Sequence, residues 1–198
     1  MTLPDWAPKP AVIDANVLFS ATIRDLLIRC HMAGILRIHW TTRILDETFI
    51  AIEKERPGLD PVRLQRTRRL MNGAARGADI TSLVDEELEF DEAAVPDAKD
   101  LHVVRAAAAV GADIVTWNLS DFPPRILEPL GLVALSPDDY LAVYVTSDAD
   151  AIGRVMELQA ADLRNPPATV QTLTERLERL GLANSVGAIR SNPPTIRS

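Results

Sequence analysis

Residues Asp100 to Phe122 read DLHVVRAAAAVGADIVTWNLSDF, and this stretch decides the fold. Val103 to Val110 is apolar enough to be a packed helix, which the reading starts around Pro96. Gly111 suits the left-handed residue that ends a helix. Asp113 to Thr116 then reads as a short strand, followed by a loop over Trp117 to Pro124. A helix feeding a short buried strand through a single glycine is the repeating unit of a parallel α/β sheet. Acids stand at both ends of the unit. Asp97 and Asp100 lie one turn apart at the helix start, and Asp121 follows the strand.

Upstream, the same alternation recurs. Ala11 to Ile13 reads as a buried strand, broken by Asp14 and Asn16 before a helix from Val17 to Met32 that Gly34 ends. Ile35 to Trp40 reads as a second strand. Thr41 or Thr42 can cap a helix to about Arg56, where Pro57 and Gly58 stop it. Asp60 with Pro61 opens a third helix through about Ala75. A short strand is expected near Ile80 to Val84, with a solvated acidic turn from Asp85 to Glu92. Downstream, Arg125 to Leu130 is a brief helix and Gly131 to Leu135 an edge strand. From Ser136 onward only helices are expected: to Val145, Asp148 to Leu163, and Thr169 to Leu180 with Leu173, Leu177 and Leu180 on one face. The tail from Ser191 is expected to be loosely held. The division is therefore an α/β domain over 11–145 and a helical extension over 146–198.

Composition narrows the classes. The chain has 198 residues, 47% hydrophobic and 25% charged, with a net charge of -7 and one cysteine. Cys30 reads as a helix core residue, and a lone cysteine excludes an internal disulfide or a cysteine zinc cluster. No apolar run approaches the ~20 residues that cross a bilayer, and no basic-then-apolar leader opens the chain, so a cytoplasmic location is expected. The net charge opposes long-range attraction of nucleic acid. Arg63, Arg66, Arg68 and Arg69 form a local exception that could touch RNA phosphates, or simply a solvated helix face.

Asp14, Glu47, Asp100 and Asp121 would be gathered at one edge by alternating strands and helices. Carboxylates that share a cleft repel by roughly 1 kcal/mol per pair at ~4 Å in water, and ~4 at a protein-like dielectric, so such a group calls for a cation or protons. Singly, each has a plainer reading. Asp14 is as well explained as a helix cap as a ligand, Asp100 as a helix-start acid, and Asp121 as a turn residue. His31, His39 and His102 have no ligand spacing, and His102 is assigned no part, being two residues from Asp100 on a helix.

IDANVLFSA (13–21), LDETF (45–49) and DLHVVRAAAAVGADIVTWNLSDF together resemble the PIN-domain nucleases, particularly the VapC-type toxins of toxin-antitoxin pairs. The resemblance covers roughly residues 11 to 140. It implies a PIN-like, Rossmann-like parallel sheet flanked by helices, and cleavage of RNA that depends on Mg2+ or Mn2+. Carried over by position, Asp14, Glu47, Asp100 and Asp121 are the acidic quartet; Asn16, Thr116 and Asn118 are supporting polar groups. Asp14 and Asp100 are the first choices as direct ligands, Asp97 an additional acid of open role. An antitoxin and a second copy of the chain are the implied partners, with RNA as substrate and no membrane. Trp117 departs from the family, where many members carry a basic residue. It either stacks a base or packs the loop onto the C-terminal helices. Two alternatives remain. A PIN-like module could bind without catalysis. A haloacid-dehalogenase-type phosphatase would use Asp14 as nucleophile, but Asn16 stands where its second aspartate belongs.

Overall fold

The computed structural model describes residues 8–84, 88, 90 and 95–191. Four short strands form one parallel sheet: β1 Pro10–Ile13, β2 Arg37–His39, β3 Asp113–Val115 and β4 Ala134–Leu135. Their order is β2-β1-β3-β4. The register sets Val12 beside His39 on one flank and Ile114 on the other. Ala11, Val12, Ile13, Ile114 and Val115 are all fully buried, as expected where helices cover both faces of a parallel sheet. The chain leaves β1 and moves outward to β2, then returns across to β3. The carboxyl ends of β1 and β3 therefore flank a topological switch point, the edge where open α/β sheets bind ligands.

The helices follow the reading with local corrections. Between β1 and β2 the chain makes two helices, α1 Ala15–Leu18 and α2 Ala21–Met32, rather than one from Val17. Asp14 caps the first. Ser20 interrupts the run and caps the second by accepting from the Ile23 N–H. Gly34 closes α2 with φ of 73°. α3 Thr42–Glu55 is capped by Thr41, and α4 Pro61–Ala74 by Asp60. No strand forms at Ile80 to Val84: Asp79 makes an isolated bridge to Trp40, and Thr81–Leu83 turns into a single 3-10 turn. The expected acidic turn over Asp85 to Glu92 lies largely outside the described residues. α5 spans Leu101–Val110, starting later than Pro96, because Asp97 caps a 3-10 turn over Ala98–Asp100 first. α6 is Pro124–Leu127.

Three helices meet expectation at the C-terminal end: α7 Pro137–Ser147, α8 Ala149–Asp162 and α9 Val170–Arg179. A fourth, α10 Ala183–Ser191, forms where the sequence reading names no element, and the loosely held tail expected from Ser191 lies, past Ser191 itself, outside the described residues. It packs on α7. Asp138, buried near the start of α7, accepts from the backbone N–H groups of Asn184 and Ser185 at 2.9 and 2.8 Å and from the Ser185 hydroxyl at 2.8 Å. Those bonds satisfy N–H groups that a helix start leaves open. Leu173 and Leu177 are buried as expected, whereas Leu180 lies past the end of α9 and is 39% exposed. α8 and α9 both pack on α2, so the buried side chains of these helices run into one core with those of the sheet. Cys30 lies in that core, where burial pushes its thiol up to about 12.

Candidate active site

Asp14 leaves the carboxyl end of β1 directly into α1, and its two oxygens divide the work. Oδ1 accepts from the Ala15 N–H at 2.6 Å as a helix cap. Oδ2 accepts from the Asn16 amide and from the Thr116 hydroxyl, each at 2.7 Å. Thr116, fully buried one residue past β3, ties the two strand ends together. Its hydroxyl accepts from Asn16 Nδ2 at 2.9 Å and from the Asn118 N–H at 3.0 Å. Asn16 Oδ1 in turn accepts from the Trp117 N–H at 3.1 Å. Burial pushes the Asp14 carboxyl above its usual range, and the bonds from Thr116 and Ala15 oppose that shift. Asp14 caps α1, while its second oxygen belongs to a network spanning both strands.

Asp100, at the end of the 3-10 turn that precedes α5, is half-buried. Burial first, then repulsion from Asp14, Asp121, Asp97 and Glu47, raises its carboxyl from 3.8 to about 6. All four residues of the quartet, with Asp97, therefore lie within one electrostatic neighbourhood. Asp121 is held by the Asn118 side-chain amide. Asp97 accepts from the Lys99 N–H at 2.9 Å, which occupies it as a cap. The side chains are not drawn into a ligand shell: among the described residues, no three carboxylate, imidazole or thiol groups stand close enough to grip one ion.

Glu47, on α3, meets two residues that the sequence reading left out. Arg43 one turn earlier approaches its Oε1 at 3.4 Å, and His102 Nε2 approaches its Oε2 at 3.2 Å. The imidazole is close enough for an electrostatic contact but is not aligned as a hydrogen bond. Its Nδ1 lies 2.7 Å from the Lys99 carbonyl. Burial lowers the His102 pKa while Glu47 pulls it back up. His102 meets a neighbour on a different helix, which its spacing from Asp100 along the chain does not reveal. Arg43 carried a readable signal, the i,i+4 spacing to Glu47.

The remaining candidates separate. Arg68 pairs with Asp46 and donates to the Thr42 carbonyl at 3.2 Å, joining α4 to α3. Arg63 is 4.0 Å from Asp60 on its own helix start. Trp117 stands against the C-terminal helices: a Cβ placed on Gly181 would lie 3.2 Å from its ring. One edge of the ring packs at the turn between α9 and α10, and the indole is still 38% exposed.

Two comparisons with known proteins give matches. Residues 137–191 match the family model described as the VapC50 C-terminal domain. A stretch of 80 residues is 36% identical to VapC50 of Mycobacterium tuberculosis (strain ATCC 25618 / H37Rv), which carries the provisional name of a ribonuclease. Over these stretches the chain is similar to VapC-type proteins. The aligned stretch is 40% of this chain and 47% of the relative, so the chain spans about half the length of the curated protein it matches. No solved structure matches. The helices of the extension, α7 to α10, lie within the matched family segment, and they supply the surface on which Trp117 rests.

Proposed function

We propose that this protein is a VapC-type metal-dependent endoribonuclease of the cytoplasm, the toxin of a type II toxin-antitoxin pair, acting as a homodimer that an antitoxin protein restrains. The observation that carries the chemistry is the gathering of four carboxylates around Asp100, whose own carboxyl is raised to about 6 by burial and then by their repulsion, with no cationic partner among the described residues. Carboxylates in that state accept a divalent cation readily, and an all-oxygen donor set suits Mg2+ or Mn2+.

Asp14 and Asp100 would hold the cation directly, with Glu47 and Asp121 completing the shell or orienting water. When bound, the ion supplies charge neutralisation at the phosphate and a more acidic water as nucleophile. The protein's own contribution is positioning. Thr116 and Asn16 keep Asp14 in one orientation, and Asn118 does the same for Asp121. Arg43 and His102 hold Glu47 at the rim of the cluster. No side chain needs to form a covalent intermediate.

A second reading, a PIN-like module that binds without cleaving, is favoured by the lack of a three-group ligand arrangement among the described residues. One experiment separates the two. Purified protein is incubated with a panel of RNAs in Mn2+, Mg2+ or chelator, beside Asp14→Asn and Asp100→Asn. Cleavage that needs the metal and both carboxylates supports the nuclease. Equal cutting by the variants refutes the assigned site, and an intact panel with no metal uptake favours the binding module.

A further inference from the structure

A second charged surface lies on the side of α2 away from the sheet. There a cleft of about 720 Å³ opens between α2, α4 and the turn joining α8 to α9, and Arg24, Arg29, Arg56 and Arg176 line it. A neighbouring hollow of about 430 Å³ shares Ala21, Thr22, Arg56 and Arg176 with it and adds Phe19 and Arg179. The two form one groove. Its acids, Asp25 and Asp162, are both taken by Arg29, at 3.1 and 2.9 Å. Arg24 donates to the Leu18 carbonyl at 2.5 Å, so its charge sits at the carboxyl end of α1. Arg56 and Arg176 have no ion-pair partner among the described residues. In a chain of net charge -7, a groove lined by five arginines against two aspartates is a local inversion of sign.

This groove comes within one short helix of Asp14. Its mouth at Phe19 and Ser20 begins where α1, the helix capped by Asp14, ends. Its far lip, Leu180, precedes Gly181, which lies against the Trp117 ring. Trp117 donates its N–H to Asn16, and Asn16 donates to Asp14. Through Gly181 on one side and Asn16 on the other, the 38% exposed indole links the lip of the groove to the Asp14 network. Guanidinium groups along a groove with an aromatic face beside it are what a single-stranded polynucleotide uses, phosphates on the cations and a base on the ring.

We propose that this groove carries the backbone of single-stranded RNA away from the cleavage site, with Arg56 and Arg176 contacting phosphates and Trp117 stacking a base. The inference rests on the ribonuclease reading and extends it, giving the C-terminal helices a part in substrate binding, since α9 supplies Arg176 and Arg179.

The test reads binding rather than cleavage. Fluorescence anisotropy of a labelled single-stranded RNA of about 20 nucleotides is followed in chelator against the full chain, Arg56→Glu/Arg176→Glu, the milder Arg56→Ala/Arg176→Ala, and Trp117→Ala. Polyglutamate serves as a polyanion without bases. The double glutamate variant is expected to bind RNA at least ~10-fold more weakly, and the alanine pair to flatten the dependence of log affinity on log salt by about 1.4, or ~0.7 per lost phosphate contact. Trp117→Ala is expected to weaken RNA but not polyglutamate. Unchanged melting would show that both pairs fold. Unaltered RNA affinity and salt slope in the folded variants would overturn the proposal, as would loss of polyglutamate binding alone, which would mark a site for an acidic protein. Failure of the wild type to cut RNA would count against the ribonuclease reading while leaving the anisotropy result to judge the groove.

Discussion

Asp14 and Asp100 face the same neighbourhood, yet they are held in opposite ways. Asp14 accepts three hydrogen bonds, from Ala15, Asn16 and Thr116, so the protein solvates it. Asp100 receives burial and the repulsion of four carboxylates. One half of the site is preassembled by donors, and the other is left with a charge that only protons or a cation can relieve.

That contrast can be broken by activity first. Asp100→Asn is expected to lower RNA cleavage in Mn2+ by at least ~10²-fold, because several kcal/mol of charge stabilisation goes with the ligand. Retained turnover would remove Asp100 from the site. Thr116→Val is the next test, read by thermal melting. The change strips the hydroxyl that joins both strand ends and orphans the Asn118 N–H, so a loss of about 1–3 kcal/mol is expected, several degrees in Tm. A wild-type Tm would mean the donor network holds nothing.

The third test concerns pH. Asp100 binds its proton more tightly folded, at about 6, than unfolded, at 3.8. Its stabilising share is therefore present below pH 3.8 and disappears as pH rises through about 6. Metal-free wild type should lose stability across that interval, by an amount reduced because Asp100 is partly exposed, and Asp100→Asn should show a flatter profile with a slightly higher Tm at pH 7. A steeper profile in the variant would reverse the assignment. The smallest effect is expected at Gly181→Ala. Gly181 sits at φ 96° with the Trp117 ring 3.2 Å from a would-be Cβ, so a loss of about 1 kcal/mol is expected in melting, and no change would uncouple Trp117 from the C-terminal helices.

The frame was legible because its signals are local. Gly34 and Gly111 end helices, Thr41 and Asp60 start them, and the three apolar residues before Asp14 mark a buried strand. The errors came where tertiary contact overrides local pattern. Ser20 splits what reads as one helix, and the expected strand near Ile80 is reduced to an isolated bridge between Asp79 and Trp40. α10 was missed because its start is stabilised from 46 residues away, by Asp138. The same holds at the site. The acids stand out in the sequence, but His102 meets Glu47 across two helices, and the arginine groove joins α3 to α9. Neither pairing leaves a trace in spacing.

Calorimetric titration of Mn2+ into the metal-free protein near pH 6, for wild type and Asp100→Asn, tests the division between the two carboxylates most directly. The account predicts saturable uptake by the wild type with release of protons, and uptake at least ~10-fold weaker in the variant. Equal affinity in both, or no uptake by the wild type, would contradict it.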